Sequence, residues 1–78
     1  MRWIKTKKQM LINLEYVQQI YTTEKSIEAV LVEPRGCRGL CQLWKGKNVK
    51  QMFSALDVAV TGDVEVVDIE LIEKNLEW

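Results

Sequence analysis

Residues 26–33 read Ser-Ile-Glu-Ala-Val-Leu-Val-Glu, and this octet constrains the fold more than any other stretch. In an extended chain successive side chains alternate between two faces, so Ile27, Ala29 and Leu31 point one way while Val30 and Val32 point the other. Both faces are apolar, and a strand of that kind needs cover on two sides. Residues 40–45 repeat the problem, with Cys41 and Leu43 on one side and Leu40 and Trp44 on the other. A chain of 78 residues has little left to supply two covers. The second face must be hidden by closure of the sheet into a barrel, by the C-terminal segment, or by another chain.

At that length one domain, residues 1–78, is expected, near the lower size at which a single core holds without a disulfide, a metal or a partner subunit. With 47% hydrophobic residues, one proline and four glycines, enough apolar surface is present to offset the ordering entropy, so disorder is not expected. The longest uninterrupted apolar run, Ala29 to Val32, is far shorter than a membrane span, and no hydrophobic segment of signal-peptide length opens the sequence. A soluble cytoplasmic protein is the expectation, with no membrane association. The formal net charge is zero but unevenly laid out: residues 1–50 carry ten Lys/Arg against four Asp/Glu, and residues 51–78 carry Lys74 alone against seven acids. Such a split favours an acidic end folded back on the basic half, or attraction between neighbouring copies.

Along the chain, Arg2 to Thr6 reads as a short strand and Lys7, Lys8 and Gln9 as the turn after it. Residues 10–22 read as a strand or a bent pair of strands, because Leu11, Ile12, Leu14, Val17, Ile20 and Tyr21 keep no single period, which places a bend near residues 13–15. Thr22 to Lys25 is a polar connection fit to close a hairpin. Pro34, Arg35 and Gly36 stop the strand over 26–33. Asn48 is placed to cap a helix over about residues 48–57, with Val49, Met52, Phe53 and Leu56 at i, i+3, i+4 and i+7. A rival reading makes residues 56–60 a strand. The β-branched stretch 64–72 reads as a strand and 73–78 as a helical turn or a frayed tail. These elements predict an α+β fold: a mostly antiparallel sheet of about five strands with one helix packed on it.

Residues 3–33, W-I-K-T followed by L-I-N-L-E-Y-V-Q-Q-I-Y and I-E-A-V-L-V, resemble a pattern of short uncharacterised bacterial proteins. In that pattern a tryptophan or similar residue and I-K-T lead to L-V-N-L, with V and I further along the strand. The resemblance spans less than half of the chain. It implies a small β-rich domain of unknown role, and no catalytic or binding residue carries over. This chain departs from the pattern in its first turn, where those proteins tend to have a glycine and Lys7, Lys8, Gln9 and Met10 stand here.

Two cysteines, Cys37 and Cys41, sit among glycines and arginines, and histidine is absent. A structural zinc site takes four Cys or His ligands, so one copy cannot build it; only two copies pooling their thiols could. A disulfide needs Cα atoms within about 7 Å, whereas four residues of straight strand span about 13 Å. The expected state is therefore two reduced thiols, Cys37 in a turn and Cys41 packed as a small hydrophobe, with no metal and no cofactor. Without histidine the commonest general base is missing, and no phosphate-binding glycine loop or nucleophile motif is present. The C-terminal acids alternate with apolar residues as on the solvated side of a strand. An enzyme is not expected.

What remains is a surface. The first expectation is a non-catalytic protein-binding module, an adaptor, regulator or inhibitor, that self-associates or docks a protein partner through Val30, Val32, Leu40 and Trp44. The alternative is a single-stranded nucleic-acid binder, in which Lys5, Lys7, Lys8, Arg35, Arg38, Lys45 and Lys47 neutralise phosphates and Trp44 stacks bases. An isoelectric point near 6.2 gives that alternative little long-range attraction for a phosphate backbone. Core packing is the favoured role for both Trp3 and Trp44.

Overall fold

A computed structural model describes residues 1–33, 36 and 38–76. The described elements run β1 (Trp3–Lys5), β2 (Leu11–Asn13), a 3-10 turn (Leu14–Tyr16), β3 (Val17–Thr22), β4 (Ser26–Val32), β5 (Arg38–Lys45), α1 (Val49–Thr61), β6 (Val66–Asp68) and α2 (Ile69–Asn75). The fold is α+β, but its strands form two three-stranded sheets, β2-β1-β6 and β3-β4-β5, and a second helix follows the first. The single sheet with one helix expected from the sequence is corrected accordingly.

The first sheet is narrow. β1 pairs antiparallel with β2 and parallel with β6, which sets Ile12, Ile4 and Val67 in one row across it. All three are buried, Ile4 completely. Arg2, just before β1, locks this sheet to α1: its guanidinium donates to the carbonyls of Val60 (2.8 Å), Ala59 (3.2 Å) and Val64 (2.9 Å). The last carbonyls of a helix have no partner within it, and a planar cation there satisfies them and complements the helix dipole.

The β1–β2 turn holds one residue in a conformation that favours glycine. Gln9 takes a φ of 66°, a left-handed conformation that glycine adopts without cost. The turn is held by Gln9 N–H donating to the Thr6 carbonyl (3.1 Å) and by Met10 N–H donating to the Thr6 hydroxyl (3.2 Å), with Thr6 buried.

The second sheet is a wider antiparallel meander. The expected bend at 13–15 is the 3-10 turn, which Asn13 caps by accepting from Glu15 N–H at 2.9 Å. The expected hairpin joins β3 to β4 through a knot of short polar groups: the Thr23 and Ser26 hydroxyls lie 2.6 Å apart, and the Ser26 hydroxyl donates to Glu28 at 3.0 Å. Between β4 and β5 the register shifts, from Ile27 opposite Trp44 to Glu28 opposite Gln42, leaving Leu43 as the extra residue of a β-bulge. A bulge re-aims the side chains beside it. Leu43 and Trp44, adjacent in sequence, are consequently both buried and both belong to the core.

α1 extends four residues past the expected 57 to Thr61, and the strand reading of residues 56–60 is overturned. Its stripe of Val49, Met52 and Leu56, with Phe53, Ala59 and Val60 beside it, packs into the same core. Asn48 does precede the first turn, but its side chain makes no capping bond. Residues 64–72 are corrected more strongly. Only Val66–Asp68 is a strand; Asp68 then accepts from Leu71 N–H at 3.2 Å and starts α2, which places Ile69, Ile72 and Leu76 against the core. Burial at i, i+3 and i+7 outweighs the strand propensity of the β-branched residues. The expected stop at Pro34 and Arg35, the turn position of Cys37, and the tail residues Glu77 and Trp78 lie outside the described residues.

Candidate docking surface

The register of the second sheet sorts its side chains. Ile27, Ala29, Leu31 and Ile20 share the face that looks into the core, joined by Leu43 and Trp44 through the bulge. The opposite face carries four cross-strand rows: Ser26 with Lys45; Tyr21, Glu28 and Gln42; Gln19, Val30 and Leu40; and Val32 with Arg38. Among the described residues no helix lies over this outer face, since the apolar stripes of α1 and α2 join the core on the other side. Leu40, on the edge strand β5, stands 69% exposed, while Val30 and Val32 on the central strand β4 and Tyr21 on β3 are half-buried.

Of the residues expected on a docking surface, Val30, Val32 and Leu40 therefore come together, Val30 directly opposite Leu40. Trp44 does not join them. It is 6% exposed on the other side of the sheet, because the bulge at Leu43 breaks the alternation that would have put it beside Leu40. Its indole N–H donates to the Glu73 carboxylate, which also accepts from Lys7 Nζ at 2.7 Å. These two donors, Lys7 and then Trp44, hold the Glu73 carboxyl below its ordinary 4.5. Through this contact the acidic end returns to the basic half. Gly46 completes the setting of Trp44: a side chain at this position would overlap the indole ring, while Gly46 N–H donates to the Lys25 carbonyl at 2.9 Å.

Tyr21, Glu28 and Gln19 are surface members that sequence reasoning missed. A strict period-2 reading of β3 from Gln19 to Thr22 would have found Tyr21 beside Gln19 on one face and Ile20 on the other. Glu28 and Arg38 stand in the rows flanking Val30 and Leu40, and among the described residues neither has an ion-pair partner.

The basic residues proposed for nucleic acid are dispersed. Lys7, Lys8 and Lys45 border a groove of about 340 Å³ beside the β1–β2 turn, with Gln42 and Trp44 in its wall. Lys5 is half-buried on β1, Lys47 is exposed ahead of α1, and Arg38 sits at the far end of β5 from Lys45. Arg35 lies outside the described residues. Trp44, 6% exposed, has little surface left for stacking, and Lys7 is paired with Glu73.

Cys41 is on the core-facing side, opposite Ala29, as a free thiol. Partial burial pushes its pKa up, partly opposed by Lys8, which keeps it protonated at neutral pH. Among the described residues no three Cys, Asp or Glu side chains cluster as metal ligands would, and no helix is long and apolar enough to cross a membrane. No family model matches the chain, and no curated protein or solved structure is significantly similar to it.

Proposed function

We propose that this chain is a non-catalytic protein-binding module of the cytoplasm that associates with a second copy of itself through the outer face of the β3-β4-β5 sheet. The observation that carries the reading is the apolar row of that face, half-buried Val30 and Val32 on the central strand β4 beside Leu40, 69% exposed on the edge strand β5. Contiguous apolar surface of this kind is what contact sites are made of.

The charges around it favour a second copy over an arbitrary partner. A twofold axis across the Val30 and Leu40 row, lying between two facing sheets and perpendicular to their strands, reverses strand direction. The Glu28 row of one copy then faces the Val32 and Arg38 row of the other, bringing each Arg38 diagonal to a Glu28 of its partner. Size sets the strength. Three strands about 4.8 Å apart, with some seven residues at about 3.3 Å each, present roughly 330 Å² per copy, well under the ~800 Å² per partner of a stable interface. The association is weak and reversible, with a Kd on the order of 100 µM.

Sedimentation equilibrium from about 20 µM to about 2 mM tests it. Wild type shifts from monomer to dimer across that range, and Leu40→Lys stays monomeric with an unchanged circular dichroism spectrum. A wild type that remains monomeric at the upper limit contradicts the reading. Single-stranded nucleic-acid binding draws less support, since Trp44 is buried and Lys7 is paired. Tryptophan quenching by an oligonucleotide that weakens steeply with salt would reverse that order.

A further inference from the structure

On the core-facing side of the same sheet lies a second unfilled feature. A groove of about 350 Å³ runs between β3 and α1. Its helix wall is one stripe, Phe53, Leu56, Asp57 and Val60, at i, i+3, i+4 and i+7. Its strand wall is the consecutive run 17–20, and because successive side chains of a strand alternate in direction, a run of four along one groove means that the backbone edge borders it. β3 is the terminal strand of its sheet, so among the described residues no strand pairs with this second edge. The register shift between Val17 and Gln19 interrupts the strand near one end, leaving residues 19–22 as the straight part.

An unpaired strand edge beside an apolar helix stripe is the geometry into which an extended peptide adds as a further strand, main-chain bonds supplying affinity and alternate side chains entering the groove. The volume is at the low end for ligand pockets, enough for one or two apolar side chains. The charge of the occupant follows from Asp57, the charged group of the lining, whose carboxylate has no ion-pair partner among the described residues.

We propose that this groove receives an extended basic peptide segment that pairs with the free edge of β3, seats an apolar side chain against Phe53 and Val60, and sets a lysine or arginine against Asp57. The site lies along the edge of β3, two strands away from Leu40 on β5, so it does not depend on self-association.

The test is an amide chemical-shift titration of wild type and of the monomeric Leu40→Lys variant with a capped hexapeptide of sequence Val-Thr-Lys-Thr-Val-Thr, whose valines and lysine share one face of the extended strand. Its controls are the same peptide with glutamate in place of lysine, and two isomers N-methylated on alternate amides. Shifts confined to residues 17–22 and 53–60 in both proteins are expected, with the glutamate peptide about three-fold weaker and Asp57→Asn reducing the lysine peptide's affinity by a similar factor. One N-methylated isomer loses binding and the other keeps it, since only one edge of an added strand bonds to β3. No shifts up to about 5 mM peptide, shifts outside this groove, equal binding of the glutamate peptide, or both methylated isomers binding like the parent overturns the proposal. Binding by Leu40→Lys with no dimer in wild type leaves the groove intact and removes only the self-association reading.

Discussion

The two faces of the β3-β4-β5 sheet are made from the same strands and nearly the same side chains, yet they have opposite fates. Inward, Ile27 and Ala29 are fully buried and Leu43 is 2% exposed; outward, Val30 and Val32 are half-buried and Leu40 is 69% exposed. Apolar alternation in a strand thus states that a face can be covered, and it does not state which one the chain itself covers. The helices settle that. Both α1 and α2 add their apolar stripes to the core that Ile27 joins, which leaves the outer face to whatever approaches from solvent.

The largest expected effect tests the inner face against the outer. Ile27→Ala removes a side chain with no exposure and should cost about 2–5 kcal/mol, comparable to the whole stability of a domain this small. Val30→Ala should cost the monomer under about 1 kcal/mol. Thermal melts of both at low concentration check the contrast, and equal losses would erase the distinction between the faces.

Next comes the bulge that turned Trp44 inward. Gly46→Ala puts a methyl where the indole ring lies and should destabilise by about 1–3 kcal/mol, with tryptophan emission moving to the red as Trp44 is displaced. Unchanged emission and melting would mean that Trp44 is not held there.

The smallest effect concerns the Glu73 tie between the inner face and α2. Its carboxyl is held below 4.5 in the folded protein, so its contribution is present above the unfolded value and is lost as pH falls through the folded one. Wild type should therefore lose more stability than Glu73→Gln between about pH 6 and about pH 3, whereas an amide keeps the bond from the Trp44 indole. With Lys7 about half exposed, the difference is at most about 1 kcal/mol, and denaturant melts at the two pH values measure it. Parallel pH curves would place the ion pair outside the energetics.

Local signals were legible in the sequence and long-range ones were not. The alternation over 26–33 identified β4, the broken period near Asn13 identified the bend where the 3-10 turn lies, and Asn48 with Val49, Met52 and Leu56 identified the start of α1. The bulge was hidden because it exists only in the pairing of β5 with β4; its one trace is two large apolar residues in succession, Leu43 and Trp44. α2 was misread because Ile69 and Ile72 suit a strand by propensity, although Asp68 ahead of the spacing Ile69, Ile72 and Leu76 is a helix-start signal. The parallel pairing of β1 with β6 joins residues more than sixty positions apart, and nothing local encodes it. Of the surface, Val30, Val32 and Leu40 could be read from alternation, whereas the groove beside Phe53 and Asp57 depends on which helix face meets which strand edge.

The central claim is that the outer face is surface the chain does not cover by itself. Paramagnetic relaxation of methyl protons by a soluble gadolinium chelate measures this directly, comparing the methyls of Val30, Val32 and Leu40 with that of Val58, which is 73% exposed on α1. At low concentration Leu40 should relax nearly as fast as Val58, and near 2 mM the three outer-face methyls should become protected while Val58 does not. Leu40 shielded at every concentration, or equally open at both, would contradict the account.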